Sequence, residues 1–360
     1  MGTGQTDDPV LWSGLAAAAT IALSYPPRLR QNPPAMSRFR RAVHGVASSY
    51  ILLAATALYS LGSVPVALHY LDTERFGLWV VMGTLVGYLN LIDAGMTSAA
   101  GRLLIDYKDD RDGGNYGSLI KTGWLVSVLQ GCIIFVIGLA MAGTFARLLL
   151  VTPALQPEFI RLVNWQCGVL ALLFATRAFG LILVANQRMD WSNYSGIFSL
   201  VVNFATQWFF FHLGYGVVSL AFGALAATLV SMMLQALACS RLRLFPQPGR
   251  WGRFSWVRFR ELFGFGKDVF LVIVGTQLIT ASQSIVIART LGMETAGVWG
   301  VGVRVFNLLN QVIWRISDMS GAAFAEMLAR GEIARLQDRY RSLVMLTFSL
   351  AGWVAVSFAL

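Results

Sequence analysis

Long runs of apolar residues constrain this chain more than any other feature of its sequence. Eight of them are about as long as the roughly 20 residues that a helix needs to cross a bilayer. Only 13% of the 360 residues are charged, well below the roughly 25% of soluble domains. Barrel strands would alternate in hydropathy over about ten residues, and these runs are continuous. We therefore predict an all-α polytopic membrane protein with spans at 45–68, 76–101, 119–146, 160–184, 194–213, 217–239, 268–288 and 296–318, and a ninth run beginning near residue 342.

The first 35 residues contain a shorter apolar run, 9–25, whose charge order is the reverse of that in an export signal. Asp7 and Asp8 precede it and a basic stretch follows it, whereas a signal peptide begins with the basic residues. Two interpretations stay open, a marginal extra span or an extension upstream of a natural start at Met36. The basic flank that follows Met36 favours the second.

The basic residues predict the orientation of the helices. With the N-terminal flank placed in the cytoplasm, the inside segments hold 21 Lys and Arg residues and the outside segments hold 4. Cytoplasmic loops of membrane proteins carry such an excess. We predict a multi-pass protein of the bacterial cytoplasmic membrane, with the flank from about Met36 inside.

The same pattern divides the chain into four regions. The range 240–266 is the longest interruption between spans, and its basic and aromatic residues are typical of a segment that lies on anionic lipids. Anionic membrane lipids are therefore expected partners, and nucleic acid is not. The predicted regions are an N-terminal extension and basic flank (1–43), a first six-helix bundle (44–239), a cytoplasmic interfacial linker (240–266) and the start of a second, incomplete bundle (267–360).

An internal repeat relates the two bundles. Residues 71–101 align with 291–321 at an offset of 220, with eight identities. Both copies end one span, cross a short outside loop and open the next span. Parallel repeats of this kind are one of the two common plans of transporters. The aligned helix entrances include Gly77 with Gly297 and Trp79 with Trp299, and the alternative is an interfacial anchor used twice.

These stretches also resemble a known family. Residues 74–110, with a glycine-tryptophan helix entrance and a Leu-Asn-Leu-Ile-Asp-Ala-Gly helix end, are similar to the polysaccharide and O-antigen flippases of the multidrug, oligosaccharidyl-lipid and polysaccharide exporter superfamily. Residues 266–312 and 329–343 resemble its second bundle and the following loop. The resemblance implies an inverted V of two bundles with pseudo-twofold symmetry and a central cavity. It further implies a lipid-linked oligosaccharide substrate, the polysaccharide polymerase machinery as a candidate partner, and a C-terminally truncated chain.

Five ionisable residues lie inside the predicted spans, where each costs at least about 2.5 kcal/mol at a helix centre. They are Asp93, Arg177, Arg304, Arg315 and Asp318. Guanidinium groups recognise phosphate oxygens well. We predict that Arg177 and Arg304 hold a lipid pyrophosphate head group in the cavity, with Arg315 assisting.

Two of these assignments keep alternatives. Arg315 and Asp318 are three residues apart and could instead form a local ion pair. Asp93 could be a proton or sodium site, or only a helix-terminal residue beside Gly95. Asp93 and Asp318 are the candidates for ion coupling.

The predicted function is transport of a polyprenyl-pyrophosphate-linked oligosaccharide to the outer leaflet for cell-surface polysaccharide biosynthesis, such as lipopolysaccharide O-antigen. A cation-coupled multidrug exporter of the same superfamily is the first alternative, although it would favour acidic residues over an Arg-rich interior. A membrane-embedded glycosyltransferase or ligase is the second, and it would need a large outside loop with catalytic groups. The sequence shows no paired metal-ligand spacing and no catalytic signature, so we expect no enzyme activity, cofactor or metal.

Overall fold

A computed structural model describes residues 35–108, 114–329 and 332–359. The chain divides into two units, Met1–Val43 and His44–Leu360, and every contact described below lies within the second. The described ranges contain ten α helices and one short 3₁₀ helix, Asn90–Asp93. The α helices are α1 (Ala35–Tyr70), α2 (Thr73–Leu89), α3 (Met96–Tyr107), α4 (Asn115–Leu148), α5 (Gln156–Ala185), α6 (Met189–His212), α7 (Val218–Arg241), α8 (Trp256–Leu291), α9 (Met293–Ala329) and α10 (Ile333–Ala359).

Six helices in the described ranges are long and apolar enough to cross a membrane. The candidate spans are Ala47–Tyr70, Thr73–Asp93 (α2 together with the 3₁₀ helix that follows it), Asn115–Leu148, Gln156–Ala185, Val218–Arg241 and Val269–Leu291. The predicted spans 194–213 and 296–318 fall within the helices α6 and α9 but are not among these six, so their crossing stays a prediction, as does that of the ninth run in α10. The run 9–25 lies outside the described residues.

The predicted span 76–101 is not one helix. Helix α2 ends at Leu89, and α3 begins at Met96. Between them Ala94 and Gly95 have φ angles of 49° and 71°, in the left-handed region that ends a right-handed helix. The prediction of a continuous helix is wrong here, because the backbone turns at Asp93-Ala94-Gly95 before α3 starts.

Glycines bring the helices of the first bundle close together, as they do in many membrane proteins. A Cβ at Gly131 of α4 would lie 2.7 Å from the carbonyl oxygen of Ala171 in α5, and one at Gly138 would overlap Cys167. Gly223 of α7 packs in the same way on Asn203 of α6. The backbones of α4 and α5 therefore approach closely at Gly131, and Gly138 leaves room for the Cys167 side chain.

Helix α2 contacts α9 through the glycines that the repeat aligns. A Cβ at Gly77 would overlap the carbonyl oxygen of Met293, and one at Gly297 would lie 2.7 Å from that of Thr73. Thr73 and Met293 are themselves 220 residues apart and begin their helices. Each copy therefore makes the same contact with the other, as two surfaces related by a local twofold axis do.

The range 240–266, predicted as a linker, contains an irregular stretch between two helix ends. Helix α7 continues to Arg241 and α8 begins at Trp256, so the last part of that range is helical. The irregular stretch between them packs on the start of α4, where Ser118 Oγ donates a hydrogen bond to the carbonyl oxygen of Arg253 (2.7 Å). The domain boundaries themselves stay a prediction.

Arg258 joins the start of α8 to the first bundle. Its guanidinium contacts the Tyr107 hydroxyl at the end of α3, the Asn115 side chain (3.0 Å) and Glu261 (2.7 Å). Burial lowers the pKa of Arg258, but the hydrogen bonds and charge of Glu261, together with Tyr107, outweigh burial and raise the pKa above its ordinary value. We infer that Arg258 stays charged and anchors α8 on α3 and α4.

Candidate functional site

The turn between α2 and α3 presents a carboxylate to the interior. Asp93 is buried, and its Oδ2 accepts a hydrogen bond from the backbone N–H of Thr97 (3.2 Å). This bond satisfies one of the free N–H groups at the start of α3. Gly95 is needed at the turn for its positive φ and because a Cβ would overlap the backbone of Gly266 in α8. The position matches the helix-terminal alternative for Asp93, and ion coupling stays a prediction.

Arg177 of α5 forms an ion pair with this carboxylate. Its Nη1 lies 2.7 Å from Asp93 Oδ1, and the two side chains are only 15% and 12% exposed. The same nitrogen donates to Thr97 Oγ1, which itself donates to Asp93. The Arg177 guanidinium also lies 3.5 Å from the ring centroid of Phe174, one turn earlier on α5, at cation–π distance. A buried charge needs such partners, because an unpaired charge in a low dielectric is expensive.

Gln130 of α4 connects the turn to a third helix. Its Nε2 donates to the carbonyl oxygens of Ile92 (2.9 Å) and Asp93 (3.1 Å), which the break between α2 and α3 leaves without helical partners. The Gln130 Oε1 atom is buried and has no hydrogen-bond partner in the described part of the chain. The polar cluster Asp93, Thr97, Gln130 and Arg177 therefore joins the α2–α3 turn to α4 and α5.

Arg304 of α9 lies in a different environment. Its Nη1 donates to Ser63 Oγ of α1 (3.3 Å), and its guanidinium lies 5.6 Å from the ring centroid of Phe76. No carboxylate among the described residues is within ion-pairing distance of it. The hydroxyl of Tyr59, one turn from Ser63 on α1, accepts from Gln207 of α6 (2.9 Å). Arg304 is thus half-buried beside hydroxyl and aromatic groups, with no neutralising acid among the described residues.

The structure does not bring Arg177 and Arg304 together. Arg304 lies over Phe76 near the start of α2, and Arg177 pairs with Asp93 beyond its end. At 1.5 Å per residue these two levels are roughly 25 Å apart along the helix. One pyrophosphate cannot bind both side chains in this conformation.

The other predicted residues occupy separate places. Gly77 and Gly297 form the contact of α2 with α9, and Trp79 and Trp299 follow them on the same helices, Trp79 partly buried and Trp299 38% exposed. The backbones of Arg315 and Asp318 belong to α9, but their side chains lie outside the described part of the structure. Their local ion pair and their cavity roles stay predictions.

Sequence reasoning missed the partners of both arginines. Thr97, Gln130 and Phe174 around Arg177, and Ser63 beside Arg304, were not predicted. Gln130 carried a usable signal, because it is a polar residue in the middle of the apolar run 119–146. No group of three metal-binding side chains occurs within the described ranges.

The fold is that of a known class of membrane transporters. The chain is similar to an inward-facing multidrug resistance MATE family transporter of the MOP superfamily (14% identity, TM-score 0.67, covering 83% of this chain and 69% of that one). It is similar to a ligand complex of the MATE multidrug transporter DinF-BH (14% identity, TM-score 0.61, 92% and 73%). A third similar structure is a MOP superfamily transporter from Pyrococcus furiosus, described as having a binding pocket of reverse polarity (15% identity, TM-score 0.53, 81% and 72%). At these identities the likeness shows the fold alone.

The sequence itself identifies the family. The family model described as polysaccharide biosynthesis protein matches residues 42–319. The chain therefore belongs to the polysaccharide biosynthesis protein family, and the resemblance seen in residues 74–110 is confirmed at that level. No curated protein matches the sequence at a significant level. Family and fold together are those of a membrane transporter.

Proposed function

We propose that this protein moves a polyprenyl-pyrophosphate-linked oligosaccharide from the cytoplasmic to the outer leaflet of a bacterial cytoplasmic membrane, for cell-surface polysaccharide biosynthesis. The observation that carries the proposal is the pair of partly buried arginines, Arg177 and Arg304, on long helices of a polysaccharide biosynthesis family protein. A pyrophosphate needs cationic partners to cross a low-dielectric region, while the lipid tail can stay in the bilayer.

The separation of the two arginines suggests a sequence of binding rather than one site. Arg304 has no acidic partner among the described residues and can accept a phosphate without displacing one. Arg177 must first leave Asp93, so a proton or Na⁺ that neutralises Asp93 would free it for the substrate. Asp93 would then couple ion binding to substrate binding, because the ion and the guanidinium compete for one carboxylate, and loss of the ion would return Arg177 to Asp93 and release the substrate.

The proposed architecture is two bundles related by a pseudo-twofold axis. The reciprocal contact between Gly77 and Gly297 supports it, since each repeat offers the same surface to the other. Polysaccharide polymerase machinery and anionic lipids are the proposed partners.

Substitution of Arg304 tests the function where no ion pair complicates the result. We expect Arg304→Ala to reduce translocation of a lipid-linked oligosaccharide at least tenfold, because loss of a charge-assisted hydrogen bond is worth about 1.5–3 kcal/mol. The measurement is translocation by the full-length protein in proteoliposomes. Arg147→Ala is the matched control, since Arg147 is exposed at the end of α4. Normal translocation by Arg304→Ala with normal insertion contradicts the proposal.

The orientation can be tested by cysteine labelling. In a chain lacking its native cysteines, we expect Ala154→Cys to react with a membrane-impermeant maleimide in intact cells. Gln247→Cys should react only after the membrane is opened. Both positions are exposed, so a difference in labelling reports the membrane side. The reverse pattern would refute the cytoplasmic N-terminal flank.

A multidrug exporter, the alternative function, would bind its cargo through a carboxylate rather than through an arginine. A cationic cargo would need a free carboxylate, and Asp93 is already paired with Arg177 at 2.7 Å. Export of a cationic dye that survives Arg304→Ala and is lost in Asp93→Asn would favour this alternative over the flippase.

A further inference from the structure

A cleft of about 460 Å³ opens at the end of the first bundle that is predicted to face outside. It lies between the starts of α2 and α5 and the turn from α6 to α7. Its volume falls within the roughly 300–1,000 Å³ of small-molecule sites. The side chains that matter for binding are those of Arg75, Glu158, Arg161, Trp165, Tyr215 and Phe222.

One wall of this outer cleft is aromatic. The ring centroids of Trp165 and Phe222 are 5.1 Å apart, and those of Tyr215 and Phe222 are 5.7 Å apart, both pairs edge to face. Trp165 is 40% exposed and Tyr215 52% exposed, so both keep surface for a ligand. Tryptophan and tyrosine are common at membrane interfaces as lipid anchors. These rings instead line a cleft that also contains three charged side chains, and an aromatic face beside polar groups suits the C–H face and hydroxyl edge of a sugar ring.

The arginines of the cleft differ in whether a carboxylate already neutralises them. Arg75 forms a bidentate pair with Glu158, with Nε–Oε2 and Nη2–Oε1 distances of 3.0 and 3.2 Å, and it also contacts Asp72 at 2.6 Å. Arg75 is therefore neutralised. Arg161 lines the same cleft, and no carboxylate in the ranges 35–108, 114–329 and 332–359 pairs with it. An anionic ligand would find its partner at Arg161.

We propose that the outer cleft binds a short acidic saccharide, with the sugar rings on Trp165 and Tyr215 and a carboxylate on Arg161. Resting on the proposed function, this ligand is the head group of the lipid-linked oligosaccharide after it reaches the outer leaflet. A site for the glycan on the outer side would favour forward transport, because it holds the product away from the crossing path.

Isothermal titration of the purified full-length protein, in nanodiscs of zwitterionic lipid, tests the cleft directly. The probes are trigalacturonic acid, maltotriose and inorganic pyrophosphate. We expect trigalacturonic acid to bind at least tenfold more tightly than maltotriose. Arg161→Gln should weaken the binding of trigalacturonic acid about tenfold. Trp165→Leu should weaken the binding of both saccharides. Arg147→Gln, with the same charge change on the same predicted face outside the cleft, should leave binding unchanged.

Three results would overturn the proposal. They are an absence of saccharide binding, equal affinities in Arg161→Gln and the parent protein, and displacement of the saccharide by equimolar pyrophosphate, which would make the site a phosphate site. Melting temperatures of the variants show whether any loss comes from unfolding. If binding fails while translocation persists, only the cleft assignment falls. If translocation fails while binding persists, the transport function falls and the glycan site stands.

Discussion

Replacing Arg177 by Gln is expected to destabilise the protein by about 3–5 kcal/mol, the usual cost of removing one partner from a buried ion pair. The change leaves the Asp93 carboxylate, 12% exposed, with no guanidinium at 2.7 Å. It also removes the donor to Thr97 and the cation over Phe174. The free energy of unfolding, measured by denaturant titration of the purified protein in micelles, checks the prediction.

A double-mutant cycle separates the pair from its surroundings. Asp93→Asn alone leaves Arg177 unpaired and should also destabilise, whereas the double variant Asp93→Asn with Arg177→Gln should recover much of the loss, because no buried charge then remains. Translocation should not recover with stability, since the guanidinium is absent. Additive losses in the cycle would show that the two side chains are not coupled.

Replacing Gly77 by Leu is expected to have the second large effect. A side chain there would overlap the backbone of Met293, so α2 and α9 must separate where the two repeats meet. Overpacking of this kind costs about 1–3 kcal/mol or more, and a backbone carbonyl cannot swing aside as a flexible side chain can. The thermal unfolding midpoint in detergent should fall by several degrees.

The chain offers matched controls for this change. Gly83 lies on α2 and Gly302 on α9, and nothing lies within 4 Å of a Cβ built at either. Leu is a better helix former than Gly by up to about 1 kcal/mol, so Gly83→Leu and Gly302→Leu should be neutral or slightly stabilising. Gly297→Ala should destabilise, through the 2.7 Å contact with Thr73. Equal midpoints for Gly77→Leu and Gly83→Leu would contradict a close contact at Gly77.

Much of the helical framework could be predicted because the length of an apolar run depends only on residues that are consecutive in the sequence. All eight runs are helical over most of their length, and six of the spans are apolar enough to cross a membrane. Helix α6 falls outside that group although its apolar run predicts a span, and it carries the polar residues Asn203 and Gln207 in its middle. Those side chains hydrogen-bond each other, and Gln207 hydrogen-bonds to Tyr59 of α1. They therefore link α6 to α1, and as polar residues they lower the mean hydropathy of α6.

The break between α2 and α3 was harder to predict from the sequence. The apolar pattern continues through 90–101, so hydropathy alone joins two helices that the backbone separates. The signal was Asp93-Ala94-Gly95, an acid before a small residue and a glycine, which is a common way to end one helix and start another. This tripeptide predicts a helix end, but hydropathy gives no reason to place that end inside the span.

The two arginines of the candidate site were predicted from the sequence, but their positions relative to each other were not. Arg177 and Arg304 stand out because charge is costly in an apolar run. Their partners depend on tertiary structure, since Asp93 and Arg177 are 84 residues apart and Ser63 and Arg304 are 241 apart. No local rule links such positions, so the separation of the two arginines along α2 appears only in three dimensions.

The contacts of α2 with the second bundle have a mechanical consequence. At its start α2 meets α9 through Gly77 and Gly297, and just beyond its end the turn meets α8 through Gly95 and Gly266. At both places backbone lies on backbone, and beside Gly77 the buried side chains of Met293 and Ala296 pack with Phe76 of α2 in one apolar core. Separating α2 from α9 would therefore expose part of this core to lipid or water, so the close backbone contact at Gly77 fastens the two repeats together.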